Sequence, residues 1–328
     1  MRILRVGIVL SGLILAITSS LMIVQRRTPS TASQILYISR DLYIMWADGS
    51  HSQPLSTYFD IDLPQYMSDP RLSPDGEWLV YQQSLHLYRL RLADGHIELL
   101  TDASEASARF ANIAPTWSPN AQQVIYIQSE RGGGFTSDLM RQRMDGTNTK
   151  RLFQSDEIQP IDPVWSPDGK WLIFRAYRQT EEDILYRMNL DDFSVQPMTD
   201  STFGLGDGPV AWSPDSQWIA VSARGNIFKM RADGSDVQQL TATLYDVERF
   251  PAWSPDGKWI TFTSRTNGNT GLYRMRIDGN QREVLIDSGI AEIAVSYSPI
   301  IDKPFAGVRL FGLGLFFLIG GIGIARRR

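Results

Sequence analysis

The chain has 328 residues, no cysteine and a formal net charge of −4, which excludes disulfides and thiolate metal sites. Of its 32 Lys+Arg, eight arginines lie in residues 1–27 and 304–328, where there is no acidic residue. The part between them therefore carries 24 Lys+Arg against 36 Asp+Glu, a net charge of −12. Such an acidic part is a poor match for nucleic acid, and we expect no nucleic-acid partner.

The chain begins with a long apolar segment. Residues 6–24 form an uninterrupted apolar run of 19 residues with two arginines on either side. This length suits a membrane-spanning helix better than the shorter core of a cleaved signal peptide. We expect residues 1–27 to be a signal anchor, followed by a linker over residues 28–34. Cleavage near Ser19 and Ser20 is the alternative.

A repeated unit follows, and residues 251–285 show it most clearly. The sequence Ser-Pro-Asp-Gly at residues 254–257 predicts a tight β-turn, and Asp-Gly at residues 278–279 predicts a hairpin turn. The stretch between the turns is rich in aromatic and β-branched residues, as a packed strand requires. We predict four antiparallel strands, A to D, with tight A–B and C–D turns and longer B–C and D–A loops.

Both turns recur along the chain at steps of 41 to 51 residues. The Ser-Pro turn occurs at Ser73, Ser118, Ser166, Ser213, Ser254 and Ser298. The second turn begins at Asp48, Asp94, Asp145, Asp191, Asp233 and Asp278. Eight of the nine tryptophans flank the Ser-Pro turns, which marks them as packing residues between sheets. Four-stranded repeats that must stack on one another favour a β-propeller.

The two ends of the repeat region complement each other. The first Asp-Gly turn has no Ser-Pro turn before it, and the last Ser-Pro turn has no Asp-Gly turn after it. Residues 35–55 match strands B to D, and residues 292–297 supply the missing strand A. We therefore predict an all-β fold over residues 35–299. It is a six-bladed propeller of four-stranded antiparallel blades, closed by N- and C-terminal strands that share one blade.

The repeated Pro-x-Trp-Ser-Pro-Asp-Gly-Lys-x-Ile turn and the later Tyr-x-Met-x-x-Asp-Gly turn resemble those of TolB-type propellers, six-bladed relatives of WD-repeat propellers. The resemblance covers about residues 35–299. Leu72 replaces a tryptophan of the pattern, Asn120-Ala121 replaces Asp-Gly, and Ser216 replaces a glycine. TolB has a separate globular domain before its propeller, whereas only a linker and an apolar segment precede strand B here. The resemblance implies the fold and does not by itself carry over the cell-envelope role of TolB.

A second apolar segment lies near the C-terminal end of the chain. After a linker over residues 300–304, residues 305–328 combine a glycine-rich apolar run with three terminal arginines, and we expect a second membrane helix. The arginines place both termini in the cytoplasm and the propeller on the extracytoplasmic side of the cell membrane, in the periplasm for an envelope protein. A C-terminal sorting signal processed after export is the alternative for this segment.

Residues that recur at the same position of each repeat are expected to have structural roles and no catalytic role. The turn aspartates are expected to be turn formers. Cations at one slot of strand C are expected to join neighbouring blades; they are Arg89, Arg141, Arg187, Lys229 and Arg274. The three histidines fall in separate slots, and no Gly-x-Ser-x-Gly motif is present. We therefore expect no catalytic residue, no metal site, no cofactor and no enzymatic activity.

The loops that differ between repeats are the B–C and D–A loops, which antiparallel order places on one face. We call it the variable-loop face, and the opposite one the tight-turn face. Aromatic and charged side chains on loops of a rigid scaffold are typical of recognition surfaces. The candidate partner-binding residues are Tyr58, Phe59, Tyr66, Phe135, Tyr177, Phe203, Tyr245 and Arg249. The alternative is that several of them merely cap the blades.

Three aspartates are predicted at the channel mouth, the end of the central channel on the variable-loop face. Asp69 and Asp162 precede equivalent prolines, and Asp207 lies two residues before another. Three carboxylates are too few for calcium, so we expect a solvated acidic rim. The sequence thus predicts a membrane-anchored extracytoplasmic binding scaffold for a protein or peptide. The alternative is a propeller hydrolase or lyase, or a carbohydrate-binding protein, that uses the channel mouth.

Overall fold

The computed structural model describes residues 34–38, 41–101, 109–130, 136–178, 181–243, 246–287 and 296–298. The strands in the first half of the chain are β1 (Gln34–Ile38), β2 (Leu42–Trp46), β3 (Gln53–Pro54), β4 (Ser68–Leu72), β5 (Trp78–Gln83), β6 (His86–Arg91), β7 (Ile97–Leu99), β8 (Phe110–Trp117), β9 (Gln123–Glu130), β10 (Ser137–Arg143), β11 (Lys150–Phe153) and β12 (Ile158–Trp165). Those in the second half are β13 (Trp171–Arg178), β14 (Glu181–Asn189), β15 (Val195–Pro197), β16 (Ala211–Trp212), β17 (Trp218–Ala223), β18 (Asn226–Arg231), β19 (Gln238–Gln239), β20 (Val247–Trp253), β21 (Trp259–Thr266), β22 (Asn269–Arg276), β23 (Glu283–Ile286) and β24 (Ser296–Ser298). A short helix, α1 (Leu55–Phe59), and a 3-10 helix (Ser201–Phe203) lie in the D–A loops of two blades.

The strands form six antiparallel sheets of four, which confirms the predicted all-β six-bladed propeller. Blade 1 has the strand order β24-β1-β2-β3, and blades 2 to 6 take the remaining strands four at a time in chain order. Strand A of one blade contacts strand A of the next at β4–β8, β8–β12, β16–β20 and β20–β24. The A strands therefore lie on the inside of the ring, around the channel.

The ring closes through blade 1, as predicted. Strand β24 pairs with β1 in antiparallel register, with Gln34 opposite Ser298 and Leu36 opposite Ser296. Of the segment predicted to close the ring, residues 292–295 lie outside the described residues. Because Gln34 begins β1 and Ser298 ends β24, the chain enters and leaves blade 1 at the same end. That end is the tight-turn face, where the Ser-Pro turns lie.

The core consists of six apolar clusters, one between each pair of neighbouring blades. Leu36 of blade 1 packs with Leu79 of blade 2, and Ile35 on the opposite side of the same sheet packs with Leu272 of blade 6. The other clusters join blades 2 and 3, 3 and 4, 4 and 5, and 5 and 6. Each sheet thus buries both faces against its neighbours, which a lone four-stranded sheet cannot do.

The Ser-Pro-Asp-Gly turns are held by one serine and one aspartate each. In blade 6, Ser254 Oγ accepts a hydrogen bond from Trp259 N at 2.9 Å and donates to Asp256 Oδ1 at 2.7 Å. Gly257 has a φ of +68°, which glycine adopts without strain. Equivalent serine hydroxyl bonds recur at Ser73, Ser118, Ser166 and Ser213. The expected role of these residues as turn formers is confirmed.

The cation slot of strand C joins neighbouring blades, also as predicted. Arg274 of blade 6 donates to Ala47 O of blade 1 at 2.7 Å, and Lys229 of blade 5 donates to Ile277 O of blade 6 at 2.8 Å. Arg89 and Arg187 make the same contact with Met144 O and Ala232 O, and the guanidinium of Arg141 lies 5.8 Å from the ring of Phe193. In blade 1, Ile44 occupies this slot and packs with Leu92 of blade 2 instead.

Replacing Arg274 with methionine should lower the free energy of unfolding by about 1.5–3 kcal/mol, the range for hydrogen bonds made by charged groups. The change removes the bond to blade 1 and the stacking on Trp259, whose ring centre lies 4.4 Å from the guanidinium carbon. The matched control is Arg276→Met combined with Glu283→Gln, because Arg276 stacks on the same ring at 4.3 Å and Glu283 is the ion-pair partner of Arg274 within its own blade. Denaturant unfolding measures both changes, and equal losses would contradict the role between blades.

Among the described residues, no helix is long and apolar enough to cross a membrane. The two spans predicted from the sequence, residues 1–27 and 305–328, lie outside the described part of the chain. So do residues 28–33 and 300–304 of the two predicted linkers.

Candidate binding surface around the channel mouth

A bulge in strand A positions the residues of the channel mouth. The register of strands A and B shifts in blades 2, 3, 4 and 6, next to a proline that has no N–H to give to the ladder. The residue before that proline has a positive φ, +48° at Asp69, +48° at Asp162 and +52° at Phe250. In blade 5 this conformation falls on Gly208, with a φ of +94°, directly after Asp207. Two of the three aspartates predicted at the mouth thus occupy equivalent bulges, and Asp207 adjoins another.

Arg175 is the centre of the polar network at the mouth. It lies in β13, is 6% exposed, and its Nη1 is 3.1 Å from Asp162 Oδ2 and 3.3 Å from Gly208 O of the next blade. Its Nη2 pairs with Asp183 of β14. The Nε atom is buried without an acceptor among the described residues. One guanidinium therefore joins two carboxylates of blade 4 to the main chain of blade 5.

Charges of both signs share the mouth. Burial raises the pKa of Asp162, and the nearby guanidinium groups of Arg175 and Arg71 oppose that rise, while Asp69 and Asp183 add to it. Burial also raises the pKa of Tyr177, with further contributions from Asp183, Asp162 and Asp207.

The sequence predicted a solvated acidic rim, and two of its three aspartates have arginine partners in the structure. Asp162 is paired with the buried Arg175, and Asp207 Oδ2 lies 2.7 Å from Arg249 Nη1. Arginines thus lie beside two of the three carboxylates predicted at the mouth. Among the described residues, no group of three or more His, Cys, Asp or Glu is arranged to hold a metal ion.

The candidate partner-binding residues divide into exposed and packed side chains. Tyr66 is 90% exposed and Tyr177 is 49% exposed. Arg249 is partly exposed and paired with Asp207. Phe203 is partly buried, with its ring edge-on to Phe228 at a centroid distance of 5.6 Å. Phe135 and Tyr245 lie outside the described residues.

Phe59 was predicted to contact a partner, and in the structure its side chain is buried. The chain at residues 55–59 forms α1 rather than an open loop, and one turn of helix puts Leu55 and Phe59 on the same face. Both are buried, Phe59 at 5% exposure, in the cluster between blades 1 and 2. Tyr58 packs against this cluster, and its hydroxyl accepts a hydrogen bond from Gln34 Nε2 at 3.2 Å. The alternative interpretation, that a residue of this set caps a blade, fits Phe59.

Sequence reasoning overlooked Arg175. The available signal was a single arginine inside an otherwise apolar strand, Trp-Leu-Ile-Phe-Arg-Ala-Tyr, since buried arginine is rare unless it is paired. Its partner Asp183 lies near the start of the next strand, β14. The pairing of β13 with β14 brings Arg175 and Asp183 together. A repeat pattern read along the sequence does not reveal such a contact.

Comparison with known proteins agrees with the fold. The model of the TolB beta propeller domain matches residues 31–246 and 139–303. An uncharacterized protein of Agrobacterium fabrum is 30% identical over 186 residues, which are 56% of this chain and 60% of the relative. The Tol-Pal system protein TolB of Anaeromyxobacter dehalogenans is 30% identical over 169 residues, 48% of this chain and 38% of the relative. The chain thus spans less than two thirds of the length of these relatives.

Solved structures show the same architecture. TolB from Acinetobacter baumannii superposes with a TM-score of 0.65 at 22% identity, covering 81% of this chain and 67% of that one. A putative TolB from Agrobacterium tumefaciens gives a TM-score of 0.60 at 22% identity, covering 83% of this chain and 100% of that one. Such identities establish the fold alone, whereas the domain match covers well over half of the sequence. The chain belongs to the TolB beta propeller domain family.

Proposed function

We propose that this protein is a binding scaffold that captures a protein or peptide partner through the variable-loop face. The observation that carries the proposal is the exposure of two tyrosines of the variable loops, Tyr66 and Tyr177, on a face that also holds the ion pairs Arg175–Asp162 and Arg249–Asp207. Exposed aromatic anchors beside polar groups that are already fixed in place are typical of interaction surfaces. The relatives named TolB of the Tol-Pal system support a role in a protein assembly.

Alanine at both Tyr66 and Tyr177 should reduce partner capture by roughly tenfold or more, since interface aromatics carry much of the binding energy. Full-length tagged protein is crosslinked in whole cells, and the captured proteins are identified and quantified by mass spectrometry. The matched control is the pair Val237→Ala and Val284→Ala, which removes exposed apolar side chains elsewhere on the propeller, at 48% and 54% exposure. Equal capture by the tyrosine and valine variants would contradict the proposal.

We further propose that the propeller is held outside the cytoplasm by membrane segments at both ends of the chain. The arginine-flanked apolar runs support it, and so does the meeting of Gln34 and Ser298 at one end of blade 1. Linkers that leave from the tight-turn face would keep that face near the bilayer and point the variable loops away from it.

A fusion after Arg328 should place its reporter in the cytoplasm, and an insertion at Gly133 should place its reporter outside the cytoplasm. Both expectations follow from the positive-inside rule applied to the terminal arginines. An alkaline phosphatase and a fluorescent protein, which are active on opposite sides of the membrane, report each position. The same compartment for both positions would rule out the two-span topology without affecting the proposed binding face.

A further inference from the structure

Buried polar atoms without hydrogen-bond partners are concentrated where blade 6 packs against blade 5. In the part of the chain that the structure describes there are eight such side-chain atoms, and three lie here: Glu248 Oε2, Trp253 Nε1 and Ser264 Oγ. Trp253 packs in the cluster between these two blades, and Ser264 lies two residues after Phe262 of that cluster, on the same side of β21. Glu248 is opposite Ser264 in the ladder of β20 and β21. The other five atoms are spread over blades 2, 3 and 4.

Glu248 lies at the variable-loop end of the contact between blades 5 and 6, and it is 0% exposed. The charged groups that face it are Arg282, whose Nη1 is 2.9 Å from Glu248 Oε1, and Asp246, whose Oδ2 is 4.0 Å from Arg282 Nη2. Blade 5 adds the carbonyl of Gly225, which accepts from Glu248 N.

The closed contact favours the protonated form of Glu248. Burial raises the pKa of this carboxyl group, the Thr241 hydroxyl and the Arg282 guanidinium oppose the rise, and Asp246 adds to it. A carboxyl group with a higher pKa in the closed contact than in water binds a proton on closing. The contact should therefore weaken as the pH rises through the raised pKa.

Trp253 lies at the tight-turn end of the same contact. At the equivalent position, Trp117 and Trp212 donate from Nε1 to main-chain carbonyls of the preceding blade at 2.9 Å and 3.2 Å, and Trp165 donates to Gly169 O of its own turn. The Nε1 of Trp253 makes no such bond with any described residue. A cavity of about 350 Å³ beside it separates the Ser-Pro turns of the two blades, so packing contacts are lost there.

The middle of the contact is apolar and closely packed. Ile227 of blade 5 and Ile260 and Met275 of blade 6 are fully buried in it. Lys229 adds one hydrogen bond between the blades, from its Nζ to Ile277 O at 2.8 Å. The unpaired polar groups thus lie toward the two ends of a contact that its centre holds closed.

We propose that the propeller opens between blades 5 and 6 before any other pair of blades separates, and that the ionised carboxylate of Glu248 promotes this opening. Opening lets water reach Glu248 and Ser264, whose unpaired oxygens then find partners. The candidate contact residue Arg249 adjoins Glu248, so opening changes part of the variable-loop face. The opening itself does not depend on the proposed binding role.

Thiol labelling of the native protein tests the opening, because the chain has no cysteine that would react in the background. Ser264→Cys places a thiol at this contact. The matched controls are Ala176→Cys and Ala223→Cys, which lie at the equivalent positions of β13 and β17, each five residues after the tryptophan that begins the strand. All three side chains are fully buried.

The full-length variants in detergent are treated with 4,4′-dithiodipyridine, and each rate is divided by that of the same variant unfolded in urea. We expect the Ser264→Cys variant to react about tenfold faster or more than either control, since local opening costs less than global unfolding. Its rate should also depend only weakly on low concentrations of urea, because little surface is exposed.

Hydrogen exchange of the unaltered chain provides a test without substitutions. Glu248 N donates to Gly225 O at 2.9 Å, and Asn112 N makes the equivalent bond to Leu85 O between blades 3 and 2. Mass spectrometry with electron-transfer fragmentation should show the Glu248 amide exchanging about tenfold faster or more, after correction for intrinsic rates. Equal protection of these two amides overturns the proposal, and so does equal labelling of the three thiols in variants with an unaltered urea midpoint.

The pH dependence isolates the contribution of Glu248. The normalised labelling of Ser264→Cys should be faster at about pH 7.5 than at about pH 4.5, because the carboxylate that is buried at the higher pH is ionised. Adding Glu248→Gln should remove this difference, whereas adding Glu157→Gln, at an exposed glutamate of blade 4, should preserve it. A pH dependence that survives in the Glu248→Gln variant would overturn the role of Glu248.

Discussion

Replacing Arg175 with methionine should lower the free energy of unfolding by about 3–5 kcal/mol near neutral pH. The guanidinium is the cationic partner of both Asp162 and Asp183, and the side chain is almost fully buried. Methionine keeps most of the apolar stem but leaves both carboxylates without their guanidinium partner. Urea unfolding followed by tryptophan fluorescence measures the loss, since the tryptophans are distributed around the ring.

The loss should depend on pH in a defined direction. Burial raises the pKa of Asp162, and Arg175 opposes that rise, so the pKa should climb further when the guanidinium is removed. A carboxyl group with a higher pKa in the folded state binds more protons when folded, and stability then falls as pH rises through that pKa. We therefore expect the variant to lose less stability at about pH 4.5 than at about pH 7.5. Equal losses at both values would show that packing, and not charge, explains the effect.

Two further variants separate charge from shape. Arg265→Met replaces an exposed arginine in β21 and should change stability by no more than about 0.5 kcal/mol. Adding Asp162→Asn and Asp183→Asn to the Arg175 variant should recover much of the loss, because the uncompensated negative charges disappear. Failure of the triple variant to regain stability would mean that the network is needed for its geometry.

The repeat made most of the fold predictable from the sequence. Each of five Ser-Pro turns uses the same serine hydroxyl at the same spacing, with an aspartate, or Asn120 in blade 3, two residues later, so the copies reinforce one local inference. The cations of strand C were assigned to contacts between blades for the same reason, and Arg274 and Lys229 make them. Ring closure followed from the complementary missing turns at the two ends, which β24 and β1 satisfy.

The features that the sequence did not predict occur at single positions of the repeat region. In the described part of the chain, an α-helix occurs in one D–A loop, and its amphipathic signal is the single pair Leu55 and Phe59, too short to distinguish from an exposed loop. The pairing of Arg175 with Asp162 and Asp183 depends on three strands lying side by side. Trp253 occupies the same position in its blade as Trp212 and Trp117, whose indole N–H groups bond to the neighbouring blade, but its own N–H has no acceptor among the described residues. A comparison of equivalent positions along the chain cannot detect a residue that differs from its counterparts only in its contacts.

Removing the closing strand should destabilise the propeller by about 3 kcal/mol or more, because it breaks the ladder between β24 and β1 and leaves that edge of blade 1 unpaired. The comparison is between residues 28–291 and residues 28–304, which differ by β24 and its flanking segments and both lack the two apolar terminal segments. Similar denaturation midpoints for the two chains would disprove closure through blade 1.

A disulfide across the seam tests the register of this closure directly, because the chain has no cysteine that could compete. Gln34→Cys with Ser298→Cys places the two thiols on opposed residues of β1 and β24. The bond should form under mild oxidation and raise the free energy of unfolding by about 2–4 kcal/mol. Gln34→Cys with Ser296→Cys is the control on the same face of β24, but it is displaced by two residues, or about 7 Å along the strand, beyond the reach of a disulfide. Crosslinking of the displaced pair in preference to the opposed pair would show that the strands close the ring in a different register.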